Sequence, residues 1–306
     1  MTAAATEVRG APGGRDNASR SLALRLAIAS VVAVIAAAVC YLIMVRTSLG
    51  QRFDNAAYLG ATDQVGGPAA NDQLRRITGD SFALVLVILV ILGAVRRRVL
   101  LGLGAALAAG LAVVGTDFLK DHFLTRPPLT ADSLAVGNTF PSGHTATAVA
   151  CAMALVIVSP PRWRGVAAVT AGAYGWITAA EVQTAGWHRP SDAIGAAFLA
   201  FAAITAVGAA LAMTRPITWS RTARHRAAQA LLGLVGFADL IVIGWGLARV
   251  LGYLRDHADG VVAPGGLRQD AYVTGLAVTV GVVVVLLMVL LALVGRADLG
   301  APPGAD

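Results

Sequence analysis

Between Ser21 and Val294 the chain returns repeatedly to apolar runs of membrane-crossing length, separated by polar or arginine-bearing connectors. A hydrocarbon layer of about 30 Å is crossed by roughly 20 apolar residues in an α-helix, whose backbone groups are all satisfied within the segment. Runs of this kind, repeated along a chain, leave a bundle of membrane helices as the fold. Composition agrees: 57% of the residues are hydrophobic and 13% charged, where a soluble domain carries about 25% charged residues.

The runs read as eight spans: Ser21–Val45, Ser81–Val95, Val99–Leu119, Thr145–Val158, a fifth from the Pro160–Arg164 turn to Ala180, then Ala193–Met213, Ala228–Leu254 and Ala271–Val294. The first is longer than the apolar region of a signal peptide, so it is read as a retained helix. The expected organisation is a disordered cytoplasmic tail (1–20) and a six-helix membrane domain (21–213). A basic cytoplasmic connector (214–227), a two-helix membrane hairpin (228–295) and a short cytoplasmic tail (296–306) follow. The long connector Arg46–Asp80 reads as a plain linker in preference to a flap over a site.

The net charge of +7 does not point to nucleic acid, because the arginines sit in short clusters between apolar runs. Eight spans put both termini on one side. The tails and the connectors after spans two, four and six carry 13 Lys and Arg against four acids, so the positive-inside rule assigns them to the cytoplasm. Cys40 and Cys151 lie within apolar runs and read as packed small hydrophobes.

The other three connectors, which then face away from the cytoplasm, carry the chemistry. The second of them ends in Pro141-Ser142-Gly143-His144, just ahead of an apolar run. A Ser-Gly pair opening a helix offers free N–H groups and the positive end of the helix dipole, an anion site, and a histidine there can move a proton beside the anion. Upstream lie Lys120, the one lysine in the chain, and Arg126-Pro127; downstream lie His188 and, four residues on, Asp192. Two helices of about 18 residues separate His144 from His188, so the chain descends about 27 Å, turns and returns to the same surface. Fixed cations, N–H donors and two histidines, one oriented by a carboxylate, are what displacement at a phosphate ester needs.

PSGH, HRPSD and K…RP resemble the three signature motifs of the type 2 phosphatidic acid phosphatase family, the lipid phosphate phosphatases, over about residues 81–213. The resemblance implies a six-helix catalytic core, no metal ion or other cofactor, and a covalent phosphohistidine intermediate. It makes His188 the nucleophile, Asp192 its orienting carboxylate and His144 the acid for the leaving oxygen, with Lys120, Arg126, Ser142 and Gly143 holding the phosphate. The chain departs from the pattern twice. Lys120 and Arg126 are six steps apart instead of seven, which requires the helix to end or distort before Arg126. Glu181-Val182 stand where the family has Ser-Arg, and Arg189 is the candidate substitute for the missing cation.

Other polar residues have plainer readings. Asp192 can simply cap its helix, Ser142 can be an N-cap, and Lys120 and Arg126 can be charges snorkelling to headgroups. His257, with Asp256 and Asp259, reads as a solvated loop. Asp239, in the middle of the seventh span, is either a functional acid or a polar lock between helices. The expected activity is hydrolysis of a lipid phosphate monoester or diphosphate at the outer face of the plasma membrane. The alternatives are a lipid phosphotransferase, or a catalytically weak protein that binds anionic headgroups.

Overall fold

The computed structural model describes residues 12–62, 67–130, 137–214, 217–220, 225–257 and 263–299, with side chains from residue 17. Among them are ten α-helices: α1 Pro12–Cys40, α2 Ser48–Thr62, α3 Gly67–Leu74, α4 Gly79–Val95, α5 Val99–His122, α6 Gly143–Val158, α7 Arg164–Thr184, α8 Pro190–Thr214, α9 Arg226–Asp256 and α10 Gly265–Val294. Eight of them stand where the eight apolar runs were read. Five segments are each long and apolar enough to cross a membrane alone: 17–45, α5, α8, α9 and α10. The pair α3 and α4, bent by 57° at its break, makes a sixth, and α6 is a shorter apolar helix. The chain is thus an all-helical, multi-pass membrane protein. α1 begins at Pro12, ahead of the tail boundary expected at residue 20, and continues through a π-helical turn Tyr41–Val45. Residues 1–11 and 300–306 lie outside the described part.

The most buried spans are α6 and α8, rich in Ala and Gly. On α6, Ala146, Ala150 and Ala154 are fully buried, and on α8 so are Ala193, Ala196, Ala197 and Ala200. Small side chains let helices approach closely, which is how packing is gained where apolar burial from water gives no drive. The outer helices turn large apolar side chains outward, among them Val31 and Ile35 on α1 and Leu234 and Leu240 on α9. In a bilayer that surface meets lipid.

The linker reading of Arg46–Asp80 does not hold, because α2 and α3 fold there and pack inward. In α2 the buried positions include Gln51, Asp54 and Asn55, so its inward face is polar. α3 sets Leu74 against Val182 of α7 and Ala193 of α8. Both elements lie at the end of the bundle that carries the three motif connectors.

The opposite end is fastened by Arg164, which is fully buried. Its Nε donates to the Val156 and Ser159 carbonyls at 3.1 and 3.2 Å, and Nη2 to Ile157 O at 3.0 Å. Nη1 donates to Val294 O and Ala297 O. One guanidinium thus joins the α6–α7 turn to the end of α10. Nearby, Arg96 and Arg98 pair with Asp298, and a short antiparallel ladder joins β1 (Ile217–Trp219) to β2 (Ala297–Leu299). This ladder lies where a basic connector and a tail were expected, and it ties the last hairpin to the six-helix part. Replacing Arg164 by Met would leave several buried carbonyls unpaired, at about 1–3 kcal/mol for each that finds no partner. Arg164→Met is expected to lower the thermal midpoint in detergent by several degrees, and an unchanged midpoint would refute the clamp.

Candidate active site

The first motif straddles a helix end. α5 stops at His122, so Lys120 sits on its last turn while Arg126 lies beyond it in irregular chain, as the six-step spacing requires. Lys120 Nζ is 2.9 Å from Asp117 Oδ1, one turn earlier on the helix.

In the second motif Ser142 is fully buried and caps α6, its Oγ accepting from Thr145 N at 3.3 Å. Its own N–H donates to Asp192 O at 3.0 Å, which binds the PSGH turn to the start of α8. Phe140, ahead of the turn, packs on Gly195, where any Cβ would overlap the ring.

The third motif begins at the end of α7. Gly186, with φ of +67°, takes the left-handed conformation that glycine adopts without steric cost. Gly186 N donates to Gln183 O and Trp187 N to Val182 O, at 2.9 and 3.0 Å. This is a Schellman stop, and it delivers Trp187 and His188 to the site. His188 Nδ1 lies 3.3 Å from Asp192 Oδ2. The same oxygen accepts from Thr139 Oγ1 at 2.6 Å and from Arg189 N at 2.9 Å. Asp192 therefore both caps α8 and holds the histidine, so the two roles weighed from sequence coexist.

Lys120, Gly143, His144 and His188 come together on one cavity of about 520 Å³. Asp117 stands beside them, and the His144 ring meets the Trp187 ring edge to face at 5.1 Å. Apolar side chains line it as well: Ile77 from the α3–α4 bend, Phe82 from α4 and Val113 from α5. Phe82 and Val113 lie one and two turns inside their helix ends, so the cavity extends between the apolar helices α4 and α5.

Arg126, Ser142, Arg189 and Asp192 do not line this cavity; Arg126 and Arg189 lie in a buried polar layer against α2. Arg126 Nη2 pairs with Asp54 Oδ2 at 2.6 Å and reaches Ser191 Oγ at 3.4 Å. Asp54 also accepts from Ser191 Oγ at 2.5 Å and Ser191 N at 3.3 Å. Arg189, expected as the substitute phosphate cation, is 1% exposed and otherwise engaged. Its Nε donates to Asn55 Oδ1 and Nη1 to Thr139 Oγ1, both at 3.2 Å, and its guanidinium stacks over Tyr58. Burial pushes the Asp54 carboxyl above its ordinary range, against the pull of Arg126. Burial likewise draws the Arg189 guanidinium down.

Val182, where the family has its cation, is fully buried between Leu74 and Ala193. Asp239 lies apart from the cavity, its carboxylate facing Gly281 of α10. His257 Nδ1 pairs with Tyr253 O at 2.9 Å, and Asp259 is outside the described residues. Among the described residues, no three His, Cys, Asp or Glu side chains converge as metal ligands.

Sequence reasoning missed Asp54 and Asn55. The signal was present: Gln51, Asp54, Asn55 and Tyr58 follow helical spacing, a polar stripe in a stretch read as linker. Thr139 and Asp117 carried no comparable signal.

Residues 100–216 match the family model of the PAP2 superfamily. This shows the resemblance for the segment that carries all three motifs, and it implies phosphatase-type chemistry on phosphate esters. No curated protein and no solved structure matches the chain significantly.

The packing around Val182 gives a direct prediction. An arginine there would enter the apolar cluster with Leu74 and Ala193, and a buried unpaired charge costs several kcal/mol. Val182→Arg is expected to lower the thermal midpoint without raising phosphate release; a gain in turnover would show that the side chain reaches the cavity.

Proposed function

We propose that the protein hydrolyses a lipid phosphate, monoester or diphosphate, by way of a phosphohistidine on His188. The observation that carries this reading is the shared cavity, lined by His188, His144 and Lys120 together with the apolar side chains Ile77, Phe82 and Val113. A phosphate on a membrane-embedded tail fits such a cavity: the charged head meets the cation and the α6 N-terminus, and the tail follows Phe82 and Val113 into the bilayer.

Asp192 takes Nδ1 of His188, which leaves Nε2 as the nitrogen available for attack. The Nε2 lone pair attacks phosphorus as the bond to the lipid oxygen breaks. That oxygen keeps the bonding electrons and takes a proton from His144, so it leaves as an alcohol from an alkyl ester and as a phosphate from a diphosphate. Water then attacks phosphorus, giving a proton to His144, as the P–Nε2 bond breaks and its electron pair returns to His188; inorganic phosphate leaves with both histidines restored. Lys120 and the Gly143 N–H offset the charge on the phosphoryl oxygens, and Ser142 holds the turn that presents them. The arginine cluster opposite the site supports cytoplasmic termini and an extracytoplasmic active site in the plasma membrane.

The phosphotransferase reading replaces water by a lipid or sugar hydroxyl in the second step. The apolar packing of Val182 and the pairing of Arg126 with Asp54 favour a third reading, weak catalysis with binding of anionic headgroups.

Phosphate release from dioleoyl phosphatidate and prenyl phosphates in detergent, with EDTA present, tests the proposal. His188→Ala is expected to abolish release. His144→Ala should lose about 10²–10⁴-fold with alkyl phosphates and much less with an aryl phosphate, whose leaving group needs no proton. Equal losses with both would remove His144 from the acid role, and undiminished release by His188→Ala would end the proposal.

A further inference from the structure

Asp54 is fully buried on α2, a helix that none of the three motifs includes. Its carboxylate takes Arg126 of the first motif through Oδ2 and Ser191 of the third through both oxygens. Building on the proposed phosphatase reading, we infer that Asp54 is a positioning residue. It fixes Arg126 and Ser191 beside the motif connectors, and the unused N–H groups of Arg126, which do not line the cavity in this structure, take the phosphate when substrate binds.

Three observations carry this. First, α2 is held against the connectors by contacts on either side of Asp54. Gln51 Nε2 donates to Val45 O at 2.8 Å and to Pro127 O at 2.6 Å, while its Oε1 accepts from Leu129 N at 3.2 Å. One position beyond Asp54, Asn55 accepts from Arg189. Arg52, on the other side, donates to Leu254 O at 2.6 Å, which ties the helix to the end of α9.

Second, each of the two fully buried carboxylates has an arginine at it: Asp54 takes the Arg126 guanidinium, and Asp192 takes the backbone N–H of Arg189. Without Asp54, Arg126 would be a buried cation lacking its 2.6 Å partner, and it would turn toward water or Asp192.

Third, Arg126 is only half used. Nη2 has its partners, whereas Nε and Nη1 are buried with no hydrogen-bond partner. Donors left unmade in a buried site are costly, and an anion delivered to them meets preformed, desolvated N–H groups. An exposed, flexible arginine would have to be ordered at each turnover; this one is ordered beforehand by a carboxylate that touches no substrate.

The competing account is that Asp54 occupies Arg126 at the expense of phosphate, which inverts the sign of the effect. Binding of orthovanadate to the full-length protein in detergent, measured by calorimetry, separates the two, with turnover of dioleoyl phosphatidate measured in parallel. Asp54→Asn is expected to weaken vanadate binding at least tenfold and to lower kcat in proportion. The Asp54→Asn/Arg126→Gln double variant should match Arg126→Gln alone, because Asp54 acts through Arg126. Tighter or unchanged binding by Asp54→Asn, or losses that add in the double variant, would overturn the inference. Should Asp54→Asn alone not fold, the double variant, which removes both charges, is compared with Arg126→Gln on the same criterion. A wild-type protein that neither binds vanadate nor turns over would bring down the phosphatase reading and this inference with it. Wild-type binding with an unaffected Asp54→Asn brings down the inference alone.

Discussion

Oδ2 of Asp192 is the atom on which the site depends. It receives Thr139 from the connector that carries PSGH, the Nδ1 side of His188, and the N–H of Arg189 at the start of α8. The Asp192 carbonyl takes Ser142 N, so a single residue fixes two of the three motifs against each other. Such a residue has to be buried, because water would compete for every one of these bonds, and it is fully buried. Burying a carboxylate is costly unless donors surround it. The donors to Oδ2 are the parts being positioned, so the bonds that offset the burial of Asp192 also order the histidine, while Oδ1 is buried without a hydrogen-bond partner.

The rest of the molecule keeps that arrangement at the end of a bundle that must also meet lipid. At the other end Arg164 and the β1–β2 ladder draw α6, α7 and α10 together. α6 and α7 are therefore bound at their turn, and their far ends bring His144 and His188 to one cavity. At the site end α2 supplies polar groups where an apolar helix would leave Arg126 and Arg189 unpaired. The fold separates two duties: apolar outer faces for the bilayer, and a polar seat behind the connectors.

Much of this was legible in the sequence because membrane helices are written in long apolar runs and because the three motifs sit at run ends. Two helices, each close to membrane-crossing length, already returned His144 and His188 to one surface. What escaped notice was short-range or contextual. α2 has a polar inward face, so its periodicity inverts the usual rule that buried means apolar, and a helix of 15 residues is easily read as linker. Arg189 was expected at the phosphate for its charge and neighbourhood; only the path of the connector reveals that it turns toward Asn55 and Tyr58. Val182 marked a missing cation, but the sequence could not say that Leu74 of α3 fills the space.

The account rests on a covalent phosphoryl group passing through His188. Rapid quench of the His144→Ala protein during turnover of an aryl phosphate, whose leaving group needs no proton from His144, followed by mass spectrometry under alkaline conditions, tests that directly. The account predicts an acid-labile phosphoryl group on the peptide containing His188 and none in the His188→Ala protein. Turnover with no phosphorylated peptide, or with inversion of configuration at phosphorus, would mean that water attacks the ester directly and would contradict it.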